Sequence, residues 1–590
     1  MIDPKTFYTE KITSFSAQVS RLQNQLIRSS MLRLGVFIAL VFGVYFFFEN
    51  TKAIGVVLLF GTALFLFLIT RHQDIKYKRD LLLQLIAINK KELKILNRDF
   101  HEFETGSQYQ DPTHSYSHDI DLFGVGSFFQ YANRTTLQSG TDTFASLLTS
   151  NDITGIPQKQ EAVKELASLP DWRQQFAAVA CLVQTKTKTK TVTSWLKAYE
   201  AFVPKQIPLL STLFSVISGV CVVSYFYGLI SGYMLFGWFL IGLIISGVFI
   251  KKVNKLATHT TQIHSTFQQY YKLIIQIETQ DFKAALLQDQ KKKIEGSGQK
   301  ASAVLQKFSR YLSSLDQRNN ILIGVLTNGF MLRDIRVSHH IEKWIMAHKK
   351  EVSTWFEVLH FFDGYNTLGA YAFNHPSQTY PSITDGASVL NMQGAAHPLL
   401  DPQRAVSNTM QIDAGQFFII TGANMAGKST FLRTVALQIV MANMGLPTPA
   451  AQSQYSPIKL ITSMRTTDNL TQDASYFFSE LQRLKYIVQA IEKDTYFIIL
   501  DEILKGTNSQ DKASGSKKFI EKLVQSKATG IIATHDLSLC ETANTYSEVE
   551  NYYFDASIEN DELYFDYTFK KGICQNMNAS FLLKKMGIVN

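Results

Sequence analysis

The sequence predicts a multidomain protein of the α plus α/β class, in which a helical core with two transmembrane helical hairpins precedes a C-terminal α/β domain. Two observations lead to this prediction. Two stretches in the first half of the chain are long, apolar and almost free of charged residues, as membrane-spanning hairpins are. The last third alternates short apolar runs with helical segments, which is the pattern of a parallel sheet covered by helices.

The composition supports several domains and an apolar component. The chain has 590 residues, of which 46% are hydrophobic and only 18% are charged, against about a quarter charged in typical domains. A net charge of +9 suits nucleic acid and anionic lipid equally well. The four cysteines are scattered without metal-binding spacing, so they favour reduced thiols over a disulfide framework.

The α/β domain contains a phosphate-binding motif. An apolar strand from Phe417 to Ile420 leads into Gly-Ala-Asn-Met-Ala-Gly-Lys-Ser, which fits G-x-x-x-x-G-K-[ST] at every fixed position. Glycines let such a loop turn its N–H groups toward phosphate, and the helix predicted from Phe431 to Met441 directs its positive end at the same anion. A chance match in a glycine-rich turn is the alternative. The predicted nucleotide contacts are Gly422, Ala423, Asn424, Met425, Ala426, Gly427, Lys428, Ser429 and Thr430.

Two side chains of this motif and one distant carboxylate predict an ATP site with Mg²⁺. Lys428 is expected to reach the β- and γ-phosphates, and the Ser429 hydroxyl to bind the metal. A continuous apolar run that starts at Tyr496 ends in Asp501, as a buried parallel strand does. We expect Asp501 to hold Mg²⁺ through its water shell. ATP and Mg²⁺ are therefore the predicted cofactors.

Two further residues are candidates for catalysis together with Lys428. Glu502 follows the metal-binding carboxylate directly and would orient or deprotonate the attacking water. A third apolar strand, from Gly530 to Thr534, delivers His535 to the same edge of the sheet. His535 is expected to sense the γ-phosphate, although a histidine at a strand end is often structural.

Two apolar hairpins are predicted to cross a membrane. Leu34 to Phe48 and Ala53 to Thr70 are uncharged and separated by a short turn, and a buried helical hairpin is the alternative for this pair. Ile207 to Ile250 contains no charged residue in 44 positions, which is enough for two spans.

The charges beside these hairpins predict their orientation. Only Lys52 lies in a connecting turn. The other basic residues lie outside the hairpins, and by the positive-inside rule they place both termini and all soluble segments in the cytoplasm. We therefore expect an integral protein of the cell or inner membrane with four spans. The flanking basic residues are Arg28, Arg33, Arg71, Lys76, Lys78, Arg79, Lys205, Lys251, Lys252 and Lys255.

These features divide the chain into six predicted parts. The C-terminal part also contains a β-hairpin predicted between Tyr552 and Phe569, followed by a short apolar helix that reaches Asn590. The parts are an N-terminal amphipathic helix (1–30), a first transmembrane hairpin (31–71), a helical region (72–205), a second hairpin (206–251), a helical lever (252–370) and the nucleotide domain (371–590).

The order of motifs resembles the MutS family of DNA mismatch-repair ATPases. The resemblance is close over roughly residues 350 to 590 and looser over 118 to 175, a part that resembles the helical core of that family. It rests on the segments Ala396-His-Pro-Leu-Leu400, Val406-Ser-Asn408, Thr421-Gly-Ala-Asn-Met-Ala-Gly-Lys-Ser-Thr430, Asp468-Asn-Leu, Ser475-Tyr-Phe-Phe-Ser-Glu480, Leu500-Asp-Glu502, Gly506-Thr507 and Ala533-Thr-His535.

The resemblance implies an ABC-type P-loop ATPase that dimerises head to tail, with ATP between two subunits. Ser475 would then meet the γ-phosphate bound by the partner. It also implies binding of mismatched DNA and a role in mismatch repair. The parts that read mismatches and clamp DNA are expected to be absent, because the second hairpin occupies the place of the clamp and only about 30 residues precede the first hairpin.

Two other functions remain open at this point. An ABC-type transporter would carry L-S-G-G-Q before the acidic strand, and this chain has Asp473-Ala-Ser-Tyr-Phe477 instead. Its four spans also contain no charged group to mark a transport pathway. A membrane tether that binds DNA non-specifically through basic surface would show salt-dependent, sequence-independent binding. We expect a homodimer that contacts the lipid bilayer, with DNA as a possible ligand.

Overall fold

The structure, a computed structural model, describes residues 3–182, 189–296, 298–423, 425–465, 476–505, 507–559 and 562–575. Within these ranges the protein is rich in α-helix and has mixed sheets in its last third. The predicted contacts Asn424 and Ser475 and the predicted C-terminal helix lie outside the described residues.

Two long antiparallel helices open the chain. Helix α1 (Pro4–Phe46) begins where the Asp3 carboxylate accepts a hydrogen bond from Thr6 N at 2.8 Å. Helix α2 (Thr51–Leu96) begins after Asn50, whose side chain accepts from Ala53 N at 3.1 Å. Both helices run without a break through the boundaries expected near residues 30 and 71. The reason is local, since no proline follows Pro4 within either helix.

A bundle of shorter helices follows and is interrupted by a second long pair. Before the pair come α3 (Phe128–Ala132), α4 (Gln138–Thr149), α5 (Ile156–Ser168), α6 (Pro170–Cys181) and α7 (Thr189–Ala198). The pair is α8 (Ile207–Phe226) and α9 (Gly232–Thr279). After it come α10 (Ala285–Glu295), α11 (Ala301–Asp316), α12 (Ile321–Met331), α13 (Arg333–His348) and α14 (Glu351–Asn374).

Four of these helices, α1, α2, α8 and α9, are long and apolar enough to cross a membrane. The most apolar stretch of each is exposed almost throughout, with 0% of it buried in α1, 6% in α2 and α9, and 22% in α8. Helix α12 is a shorter apolar helix that the sequence did not lead us to expect.

The C-terminal part contains a six-stranded sheet with the order β12-β9-β4-β8-β7-β6, parallel except for β12. Its central strands β4 and β8 are buried at every position, as expected for parallel strands covered on both faces. The strands of this sheet are β4 (Phe417–Gly422), β6 (Lys459–Ser463), β7 (Tyr496–Asp501), β8 (Thr529–Ala533), β9 (Val549–Phe554) and β12 (Lys570–Lys571).

Helices and two smaller sheets surround this sheet. Helix α15 (Lys428–Asn443) follows β4, α16 (Tyr476–Ile491) precedes β7, and α17 (Ser509–Gln525) connects β7 to β8. A four-stranded sheet has the order β1-β5-β2-β3, formed by β1 (Ser382–Ile383), β2 (Ser388–Ala395), β3 (Asn408–Asp413) and β5 (Gln452–Tyr455).

The hairpin expected between Tyr552 and Phe569 is shorter in the structure. It consists of β10 (Ala556–Glu559) and β11 (Glu562–Phe565), which pair antiparallel. The residues before it form β9, which pairs in parallel with β4 in the six-stranded sheet. The alternating pattern therefore covered two structural units.

A buried carboxylate joins the helical part to the six-stranded sheet. Asp119, only 5% exposed, precedes the helical bundle, and its Oδ2 accepts hydrogen bonds from Thr462 Oγ1 at 2.5 Å and Met464 N at 3.1 Å. Its Oδ1 accepts from Arg465 N at 3.0 Å. One side chain thus accepts from the two backbone N–H groups that directly follow β6, which is an edge strand among the described residues.

The hydrogen bonds accepted by Asp119 lead to a prediction about stability. In the native protein the Asp119 carboxylate faces only hydrogen-bond donors. Asp119→Asn places an amide N–H₂ group, itself a donor, against them, so we expect the free energy of unfolding to fall by about 2 kcal/mol. The matched control is Asp121→Asn, which alters a half-exposed ion pair with Arg465 and should cost less than about 1 kcal/mol. Urea unfolding of the detergent-solubilised protein, followed by tryptophan fluorescence, measures both. Equal losses in the two variants would contradict the assigned role of Asp119.

Candidate functional site

The predicted phosphate loop leaves β4 and enters α15 through two glycines with left-handed backbone. Gly422 has φ +150°, and a Cβ there would lie 2.6 Å from the carbonyl oxygen of Phe554. Gly427 has φ +99° and immediately precedes the first residue of α15. Other residues would be strained at both positions, so the fixed glycines of the motif follow from backbone geometry.

The Lys428 side chain lies inside this loop. Its Nζ donates hydrogen bonds to the carbonyl oxygens of Gly422 at 2.8 Å and Ala423 at 2.9 Å. Burial lowers the pKa of Lys428, because the charged ammonium is separated from water. A buried ammonium needs oxygen partners, and here the loop supplies them. Phosphate oxygens are partners of the same kind.

The two predicted metal ligands contact each other. Ser429 Oγ donates to Asp501 Oδ2 at 2.7 Å, although the two residues are 72 positions apart. Asp501 ends β7, next to β8 and one strand removed from β4. Burial raises its pKa, although the Ser429 hydrogen bond and the nearby Lys505 and Lys428 act in the opposite direction. A hydroxyl and a carboxylate at one point are oxygen ligands of the type that Mg²⁺ takes together with phosphate.

The remaining predicted catalytic residues form an ion pair. His535 Nε2 lies 2.9 Å from Glu502 Oε1 and 3.4 Å from Lys428 Nζ. The hydrogen bond from His535 lowers the pKa of Glu502 to about 2. A carboxylate with so low a pKa is a weak proton acceptor at neutral pH. Of the two roles expected for Glu502, this geometry favours orienting a water molecule over deprotonating it.

The turn that carries Glu502 is held by a residue that the sequence did not identify as functional. Glu502 has φ +50° and Leu504 has φ +60°, both in the left-handed region. Glu480 on α16 accepts hydrogen bonds from Leu504 N at 2.5 Å and Lys505 N at 3.0 Å. Its carboxylate therefore stabilises a strained turn and fixes the direction of the Glu502 side chain.

A cavity of about 290 Å³ adjoins the start of α15. Gly427 and Thr430 form the side nearest the phosphate loop, and the rest of the wall is largely apolar and aromatic. Asn408 closes it, since its Oδ1 accepts from Phe569 N at 2.7 Å and its Nδ2 donates to the Tyr567 carbonyl at 3.1 Å. The other lining residues are Ala395, Ala396, His397, Leu400, Arg404, Ala405, Val406, Phe431, Thr434, Phe554 and Tyr567.

This cavity could not be derived from the sequence, because its walls come from distant positions. Val406 and Asn408 were noted only as part of a resemblance, and Tyr567 lies 159 residues after Asn408. Among the described residues, no group of three or more His, Cys, Asp or Glu side chains is placed to hold a metal.

Comparison with known proteins places these residues in a family. The profile described as MutS domain V matches residues 418–584, a range that contains the phosphate loop, Asp501, Glu502 and His535. The C-terminal part of the chain, over residues 418–584, belongs to the MutS family.

Three relatives illustrate how far this similarity extends. MutS protein homolog 4 of Homo sapiens is 31% identical over 220 residues, which are 35% of this chain and 23% of that protein. DNA mismatch repair protein MSH4 of Arabidopsis thaliana is 30% identical over 285 residues, 47% of this chain and 35% of that protein. DNA mismatch repair protein MutS of Desulfatibacillum aliphaticivorans is 33% identical over 200 residues, 32% of this chain and 22% of that protein.

The matched segments span about a quarter to a third of the length of these relatives. The family assignment of this MutS protein therefore rests on its C-terminal part, where the described phosphate loop and its carboxylates lie.

Proposed function

We propose that this protein is a membrane-anchored MutS-family ATPase that binds and hydrolyses MgATP. One observation carries the proposal: Lys428, the Ser429–Asp501 pair and the Glu502–His535 pair converge at one edge of the six-stranded sheet. These groups come from the ends of three neighbouring parallel strands, β4, β7 and β8. That edge is where ligands bind in parallel α/β sheets.

Each group has a role that its surroundings support. Lys428 exchanges its loop carbonyls for phosphate oxygens and neutralises their charge. Mg²⁺ would be held by Ser429 and Asp501 and would supply further charge neutralisation on the phosphates. Glu502 orients the attacking water, and His535 keeps the Glu502 carboxylate ionised and in place. The raised pKa of Asp501 fits a carboxylate whose cationic partner arrives with the nucleotide.

The cavity beside Gly427 is the proposed site of the nucleotide base. It lies at the start of α15, so a base there remains within reach of phosphates held by the loop. Its apolar wall suits the faces of a purine, and Phe431 and Tyr567 provide aromatic rings for stacking. The backbone of Tyr567 has φ +52° and is fixed by Asn408, which keeps this wall in position.

We further propose that two copies form a homodimer through their nucleotide domains. The family resemblance implies that ATP lies between subunits, with Ser475 contacting the nucleotide of the partner. Arg465 and Tyr476 are the described residues on either side of the segment that contains Ser475. Arg483 on α16 stabilises the chain on the N-terminal side of that segment. The Arg483 guanidinium donates to the carbonyl oxygens of Ser115 at 2.6 Å and Thr462 at 2.7 Å.

The exposed apolar helices support membrane anchoring. Large side chains such as Phe42, Phe60, Leu213 and Ile244 are each more than half exposed. Soluble proteins rarely expose so large a continuous apolar surface. With a rise of about 1.5 Å per residue, α2 and α9 are each about 70 Å long and continue from the apolar stretch into the helical bundle. They are the proposed mechanical connection between the bilayer and the nucleotide domain.

The ATPase proposal predicts separate effects for binding and hydrolysis. Lys428→Ala removes the charge that faces the phosphates, so ATP affinity should fall at least about 100-fold, or about 2.7 kcal/mol. Glu502→Gln should bind ATP nearly as well but slow hydrolysis at least about 100-fold, because the neutral amide loses the charge-assisted contact with His535 that holds this side chain in place. Equilibrium nucleotide binding and phosphate release measure the two quantities. Lys518→Ala and Glu492→Gln, both exposed, are the matched controls. Normal turnover in Glu502→Gln would remove Glu502 from catalysis.

The membrane proposal predicts a topology. With the accessible Cys181 and Cys221 replaced by serine and the buried Cys540 and Cys574 retained, cysteines introduced at Glu49 and Leu229 lie in the two connecting turns. They should react with an impermeant maleimide added to intact cells, because the basic flanks keep the opposite ends in the cytoplasm. Cysteines at Ser194 and Glu295 should react only after the membrane is opened. Labelling of Glu295→Cys in intact cells would overturn this arrangement.

We propose that the protein binds DNA without recognising its base sequence or mismatches. Two of the compared relatives are named DNA mismatch repair proteins, and the family resemblance predicts a DNA clamp where this chain has the apolar helices α8 and α9. With a net charge of +9, contacts to phosphates should give binding that falls steeply with salt. Binding and ATPase activity should be the same with matched and mismatched duplexes at physiological salt. A tenfold preference for the mismatch, about 1.4 kcal/mol, would contradict this expectation.

A further inference from the structure

Helix α12 exposes an apolar surface that the proposed four spans leave unexplained. It has 11 residues, none of them charged, and it lies between two helices of the soluble lever. Six of its large side chains are more than 40% exposed, which is unusual for a helix in a water-soluble bundle. These are Ile321 (80%), Leu322 (68%), Ile323 (43%), Val325 (43%), Leu326 (47%) and Met331 (51%).

The opposite face of α12 packs closely against α9. A Cβ on Gly242 of α9 would lie 2.1 Å from the carbonyl oxygen of Gly329, so the two backbones meet directly. A Cβ on Gly329 would lie 2.1 Å from the Phe239 ring, which also packs on Phe330 with 5.1 Å between centroids. Small residues that let helix backbones touch are typical of helix pairs inside membranes.

These contacts fix the depth of α12 relative to the proposed spans. Gly242 lies nine residues before Lys251, the first charged residue after the apolar part of α9. At about 1.5 Å per residue this distance is about 13 Å, close to half of the roughly 30 Å hydrocarbon layer. Helix α8 gives a similar depth, since Ser215 Oγ lies 3.5 Å from the Met331 carbonyl oxygen and Ser215 is eight residues after Ile207.

Charged residues flank α12 on both sides and contact polar groups that lie beyond the apolar part of α9. Arg318, before α12, donates to Asn254 Oδ1 at 2.7 Å and pairs with Asp334 at 3.2 Å. After α12, the chain reverses at Leu332, which has φ +51°, and Arg333 donates to the Ser314 carbonyl at 2.7 Å. The helix therefore enters the apolar layer and returns to the same side.

We propose that α12 is a re-entrant half-helix whose exposed face contacts lipid acyl chains in the cytoplasmic half of the bilayer. This inference rests on the proposed membrane anchoring and adds a fifth membrane element from the lever region. The exposed face of α12 contacts lipid in this proposal, because it continues the apolar surface of α8 and α9 at the same depth. No charged group interrupts the surface between Ile321 and Met331.

The position of α12 in the chain connects the bilayer to the nucleotide domain by a second route. Helices α13 and α14 lead from it directly into the sheets, and α14 is buried along most of its length against α4 and α5. A change at the nucleotide site thus reaches the bilayer along α14 and α13 as well as along α2 and α9. The lever region would respond to lipid itself.

Spin labelling of the full-length protein in phosphatidylcholine–phosphatidylglycerol vesicles tests the inference. After replacement of Cys181 and Cys221 by serine, nitroxides are attached to single cysteines at Leu326, Ile244 and Met346. Collision with oxygen reports lipid, and collision with a water-soluble nickel chelate reports water. Ile244 on α9 is the lipid reference, and Met346 on α13, which is 44% exposed and apolar, is the water reference. Leu322→Cys repeats the measurement should Leu326→Cys not fold.

The expected result is an oxygen-to-nickel collision ratio at Leu326 that matches Ile244 and exceeds Met346 severalfold. A ratio like that of Met346, with Ile244 in lipid, would overturn the half-helix and leave the four spans intact. Protection from both reagents would show that protein, such as a second copy, covers α12, and would also overturn it. Nickel access at Ile244 as well would instead reject the membrane anchoring on which the inference rests.

Discussion

The hydrogen bonds accepted by Asp119 join the helical part of the protein to β6, the edge strand of the described six-stranded sheet. Asp119 binds the end of β6, and Arg483 of α16 binds the carbonyls on both sides of the same junction. The junction borders residues 466–475, the segment that resembles the family signature expected to meet a partner's nucleotide. A displacement there would strain several charge-assisted hydrogen bonds at once, so the helical part must follow the sheet rather than slide past it.

Two adjacent carboxylates at the site differ in electrostatic environment, and this difference separates their roles. Burial raises the pKa of Asp501, whereas the hydrogen bond from His535 lowers the pKa of Glu502 to about 2. Neighbouring acids with opposite shifts are a common means of assigning different tasks in one site. In the proposed function, Asp501 would gain most from a cation that arrives with the nucleotide, whereas Glu502 is already held by His535. The proposed response to MgATP is therefore centred on Asp501.

Much of this arrangement could be predicted because its signals are local. The phosphate loop, the strands that deliver Asp501 and His535, and the apolar hairpins each depend on a short run of residues. The wall made by Asn408 and Tyr567 and the support of the Glu502 turn by Glu480 could not be predicted, since each joins distant parts of the chain. Helix α12 was missed for a different reason. Its 11 residues are too few for a span, and only its contact with Gly242 reveals its depth.

The continuity of the long helices has a physical consequence for how the parts act together. A helix without a break transmits rotation and translation along its axis, and α2 and α9 contain no proline in about 70 Å. Their far ends pack on α6 and α11, within the bundle that Asp119 fixes to the sheet. Because packed interfaces shift between discrete arrangements rather than deform gradually, a change in one part favours a matching change in the others. In the proposed function, the bilayer and the nucleotide site are therefore two ends of one mechanical unit.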